Sequence, residues 1–219
     1  MKIIGSGIYT DANGRNNKIV GVCELPESNK LQELKLSGNL FFEKIFCEEV
    51  SISGKCEGGS LSAHNVNISG KYEGKSITAK TFSASGKVEI DSIKIEDSLK
   101  ISGKPKSDFV AADEIIIAAC AGFLGVVKCR KIKIFEGSVT ANEEFFGKNF
   151  VEYFSFNESH SRVQIKNIEA NIVELENCAV EVIRCQNAFI GKNCVIDKLF
   201  VAGECEVAAD STVVETIRI

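Results

Sequence analysis

The chain has 219 residues, 26 basic and 30 acidic, for a formal net charge of −4. That balance, with no arginine-rich stripe, argues against binding to a phosphate backbone. No run of 18 apolar residues is present, so no transmembrane helix is expected.

Two prolines and no tryptophan suit long ladders, because each proline removes a ladder donor. Nine cysteines are an odd number, and Met1-Lys-Ile-Ile-Gly carries no apolar signal segment. Reduced thiols in a cytoplasmic protein are therefore expected, rather than a disulfide framework.

Residues 1–33 hold Gly5, Gly7, Asp11, Asn13 and Gly14, and read as a turn-rich start followed by a first coil. From Leu34 the chain repeats. Val50-Ser-Ile52-Ser-Gly54-Lys-Cys56-Glu-Gly58 with Leu61 and Ala63 is answered by Val66-Asn-Ile68-Ser-Gly70-Lys-Tyr72-Glu-Gly74 with Ile77 and Ala79. A third copy runs from Phe82 through Gly86 to Ile90, then Ile93 and Ile95. Apolar or small residues alternate with polar ones, which is the period of a strand and not of a helix. A unit of 16 residues cannot bury its own apolar face and must stack on its neighbours. Coils begin at Leu34, Val50, Val66, Phe82, Leu99, Ile115 and Ile132, in near-constant phase. Each has a second apolar pair eleven to thirteen residues in, such as Ile45/Cys47 or Val127/Cys129. Gly38, Gly54, Gly70, Gly86 and Gly103 share one register and predict a corner or a close backbone approach. The regular solenoid is thus expected over 34–135.

Over 136–162 the pattern breaks into an aromatic-rich insertion or wide coils containing Phe145, Phe146, Phe150, Tyr153, Phe154 and Phe156. Bulky filler for the core is one reading. A contact patch for a protein partner is the other. The phase returns over 163–219 with Ile168/Ala170, Ile183/Cys185 and Leu199/Val201. The chain closes on Ile217 and Ile219, which could cap the core or meet another subunit, and Ile217 is expected at a core position of the end coil.

The search for chemistry yields no catalytic, cofactor-binding or metal residues. His64 and His160 are the only histidines, and neither has a Ser or Cys partner in phase. The cysteines lack the two-to-four residue spacing of zinc ligands. Cys47, Cys56, Cys129 and Cys185 fall in apolar phase, as small inward hydrophobes would. Lys55, Lys71 and Lys87 with Glu57, Glu73 and Glu89 predict an outward ladder of mixed charge.

The pattern apolar-x-Ile-x-Gly-x-apolar-x-Gly followed by Ile-x-Ala, as in Val66 to Gly74 with Ile77 and Ala79, resembles the bactofilins, polymer-forming bacterial cytoskeletal proteins. The resemblance covers roughly residues 34–130, and more loosely 163–214. It implies an all-β fold, a right-handed β-helix (β-solenoid), associating through its ends into nucleotide-independent filaments that scaffold other proteins. Some bactofilins attach to membrane through an apolar N-terminal segment. Met1 to Ile8 is too feeble a version for membrane attachment to be expected. The alternatives are a monomeric β-solenoid adaptor using the 145–156 region and, less favoured, a hexapeptide-type acyltransferase. Only the step from Ile190 to Ile196 has the six-residue spacing an acyltransferase would sustain.

Overall fold

The computed structural model describes residues 2–8, 14–119, 121–137 and 162–219. The aromatic residues Phe145, Phe146, Phe150, Tyr153, Phe154 and Phe156, together with His160, lie outside them.

The described chain is all-β, a parallel β-solenoid of about ten turns with a period near 17 residues. Strand β1 (Lys2–Ile8) pairs with β2 (Gly14–Ala118), followed by β3 (Gly122–Phe135), β4 (Val163–Leu175), β5 (Cys178–Ile190), β6 (Val195–Val201), β7 (Cys205–Val207) and β8 (Thr212–Arg218). Every pairing is parallel, since each coil lies over the last in the same direction. The register shifts by 16 residues from Lys2 to Lys18, by 17 from Lys106 to Phe123, and by 15 from Val163 to Cys178. The period is therefore not strict, and single residues are gained or lost at corners, where they cost no inward side chain.

Each coil has three short arms with two inward positions apiece. In the coil from Phe82 these are Phe82 and Ala84, Val88 and Ile90, then Ile93 and Ile95, all buried. Stacked over the coils, they form one apolar core from Cys23 to Val201. Burying each Leu, Ile or Val contributes about 1.5–3 kcal/mol, and the columns repeat that gain rung after rung. The second-arm columns interlock by size. Gly58 leaves room for the Phe42 ring and Gly74 for the Tyr72 ring, each of which would lie within 2.8 Å of an added Cβ. The two rings sit 6.4 Å apart at 51°.

Two expectations change. The turn-rich reading of the start gives way to strand β1, with Gly5 opposite Gly21, so this glycine continues the corner column instead of ending the ladder. The break at 136–162 is an insertion between adjacent coils and not a set of wide coils. Residues Gly122 and Ile134 of β3 pair directly with Val163 and Leu175 of β4.

Candidate assembly surfaces

The corner after the first arm is built from glycine in the N-terminal coils. Gly38, Gly54, Gly70, Gly86 and Gly103 all have φ between +118° and +134°. An added Cβ on Gly70 would lie 2.1 Å from the carbonyl oxygen of Gly54. No larger residue fits there, so the ladder bends without breaking and β2 runs through its corners as one strand of 105 residues. In the C-terminal coils the same corner is made by Asn177 and Asn193, at φ of 53° and 56°. Their side chains stack. The Asn193 amide nitrogen donates to the Asn177 oxygen at 2.5 Å, and Arg162 donates to the Asn193 oxygen at 2.6 Å.

Three outward faces follow from the three arms. On the second-arm face, Lys55 pairs with Glu57, Lys71 with Glu73 at 2.5 Å, and Lys87 with Glu89 at 3.1 Å. This is the mixed-charge ladder read from the sequence. Hydrogen bonding from Lys71 lowers the Glu73 carboxyl to about 2. Such a face is soluble and resists sheet-to-sheet association.

The first-arm face differs. Over three consecutive coils its outward residues are Ser51 and Ser53, Asn67 and Ser69, and Ser83 and Ser85, none of them charged. These short side chains floor a groove of about 450 Å³ that begins at Lys18 and Lys35. Further along the same face, Lys133 stacks on Glu174, Glu174 on Phe189, and Phe189 on Glu206. A second groove of about 640 Å³ lies there, bordered by Phe135, Phe189, Glu176 and Glu206.

The third surface is the C-terminal end. Among the described residues, β7 pairs only with β5 and β8 only with β6, so both leave one edge of backbone donors and acceptors open. In the inward columns of this last coil stand Cys205, half-buried, Val207, 43 % exposed, and Val213, half-buried. Thr216 follows Leu199 in the third arm, and Arg218 follows Val201. The Arg218 guanidinium turns away to the carbonyl of Gly203. Ile217 corrects an expectation. It stacks on Phe200, outside the core column, because Leu199 is the inward neighbour in that strand. Ile219 is 68 % exposed.

The cysteines occupy the expected places. Cys47, Cys56 and Cys185 are buried, and Cys129 packs half-buried against the core. Burial pushes the Cys47 and Cys185 thiols up to about 11 and Cys129 up to about 12, so all stay protonated and inert at neutral pH. Cys178 and Cys194 are stacked neighbours that sequence reasoning did not single out. A hydrogen bond to Cys194, then burial, holds the Cys178 thiol protonated. Among the described residues no three His, Cys, Asp or Glu side chains gather in a way that would hold a metal ion. His64 is exposed on the third-arm face.

No protein-family model, curated protein or solved structure matches the chain.

Proposed function

We propose that this protein is a non-enzymatic structural protein that extends itself end to end, as the bactofilin-like repeat suggests, into nucleotide-independent filaments or scaffolds in the cytoplasm. The observation that carries this reading is the uncovered last coil. Val207 is 43 % exposed in a core column, between strand edges that have no outer partner among the described residues. A second solenoid end would continue the ladder and bury the column, with backbone hydrogen bonds and apolar area acting together. No nucleotide or metal enters that step.

A monomeric adaptor is the second reading. Thr216 and Arg218 favour it, because they set polar groups in two of the terminal inward columns, as a capping coil does.

Electron microscopy and sedimentation velocity of the protein at micromolar concentration separate the two. Filaments that Val207→Lys shortens or abolishes are expected. A monomer whose sedimentation does not change with concentration would replace the scaffold reading with the adaptor.

A further inference from the structure

The first-arm face changes character along the rod in a way that fits a second copy of itself. Its leading outward column reads Lys35, Ser51, Asn67, Ser83, Lys100, Ile116, Lys133, Glu174, Phe189, Glu206. The N-terminal stretch is hollow and basic at its margin, where Lys18 and Lys35 border the serine-floored groove. The C-terminal stretch is raised by Phe135 and Phe189 and is acidic through Glu176 and Glu206.

We propose that two copies associate laterally through this face, antiparallel, about a two-fold axis that lies along the strand direction between the coils of Lys100 and Ile116. A two-fold interface places residue i against j and j against i. Reading the column against its reverse puts Lys35 opposite Glu206, Ser51 opposite Phe189, Asn67 opposite Glu174, Ser83 opposite Lys133 and Lys100 opposite Ile116. No like charges face each other. The neighbouring outward column pairs equally well, with Phe135 opposite Ser85 and Glu176 opposite Ser69. Large side chains thus meet small ones twice over. The contrary arrangement, with both rods pointing the same way, brings Glu174 against Glu176 and gains no ion pair.

Ten rungs at about 4.8 Å give a strip about 45 Å long. With a width of about 10 Å, the two copies bury on the order of 1,000 Å² in total, the lower bound for a specific contact. Lys35 already pairs with Glu33 at 2.5 Å while remaining exposed. Such a surface ion pair is weak, so the ammonium can accept a partner's carboxylate as well. The second-arm face, with its unbroken Lys/Glu ladder, offers no such hollow. This contact is independent of the end contact, and a rod with blocked ends retains it.

Sedimentation equilibrium on Val207→Lys, whose end contact is disrupted, and on the wild type should that not polymerise, tests the proposal. A dimer is expected at tens of micromolar. In that background Lys35→Glu and Glu206→Lys should each raise the dissociation constant about tenfold or more, because each reversal sets two like-charged pairs across the two-fold. Carrying both substitutions on one chain should restore the dimer. Ser53→Trp, which fills the hollow on an exposed position, should abolish it. Monomer at about 100 µM with blocked ends, or a dimer indifferent to the single reversals, overturns the proposal. Either result leaves the filament reading to be decided by microscopy.

Discussion

The N-terminal and C-terminal coils solve one problem by two chemistries. Both must turn the chain sharply after the first arm while the coil below leaves almost no room. The N-terminal coils use glycine at φ near +130°, where the backbone of one coil touches the backbone of the next. The C-terminal coils use asparagine in the left-handed region and recover part of the conformational cost by hydrogen-bonding the side chains into a ladder. The first solution excludes every side chain. The second requires a particular one. The glycine corners therefore keep β2 continuous, whereas the asparagine corners divide the C-terminal coils into separate strands.

The largest effect separates the two kinds of corner. Gly70→Ala introduces a Cβ 2.1 Å from a carbonyl oxygen at a positive φ, and should cost at least about 3 kcal/mol, read from urea denaturation followed by circular dichroism. A smaller loss than that of Asn193→Ala would break the comparison. Asn193→Ala removes the bonds to Arg162 and Asn177 and strains the backbone, for about 2 kcal/mol. Asn193→Gly frees the backbone yet still lacks the ladder, so it should fall between Asn193→Ala and the wild type on the same urea curves. An Asn193→Gly protein as stable as the wild type would reduce the ladder to decoration.

A gain is expected at Tyr72. Its ring fills the space beside Gly74, but its hydroxyl is buried without a hydrogen-bond partner. Tyr72→Phe keeps the ring and removes the unmet polar group, so it should stabilise the glycine-cornered coils by about 1 kcal/mol. Thermal unfolding at a lower midpoint than the wild type would show that the hydroxyl has a partner in solution.

The smallest effect lies on the charged ladder. Glu73 titrates at about 2 because Lys71 hydrogen-bonds its ionised form. With the folded value below the unfolded one, its stabilisation is present above the usual carboxylate range and lost as pH falls through about 2. The pair is exposed, so high salt should erase most of the shift. Carboxyl NMR of wild type and Lys71→Ala, at low and high salt, reads this directly, and identical midpoints in the two proteins would remove the ladder from the description of that face.

Much of this was legible in the sequence. The stacked pairs Val127/Cys129, Ile168/Ala170, Ile183/Cys185 and Leu199/Val201 stand in the register their spacing predicted, across the insertion as well. The Lys/Glu column and the inward cysteines were read from alternation alone. The asparagine corners were not, because Asn177 and Asn193 carry no common spacing with the glycines and their coils are a residue shorter or longer. Ile217 was read as a core residue on hydropathy, yet its neighbour in register is Phe200 and not Leu199. A shift of one residue along a strand exchanges inside for outside.

The sequence by itself determined that this chain is a β-solenoid, where its coils begin, and which side chains form its core, because a period-two pattern repeated in phase admits no other way to bury those residues. Only the tertiary structure decided which corners are glycine and which asparagine, that the last coil presents Val207 beside Thr216 and Arg218, and that one face is hollow at one end and raised at the other. Those properties belong to columns, and a column exists only once separate coils, about 16 residues apart in the chain, are stacked about 4.8 Å apart in space.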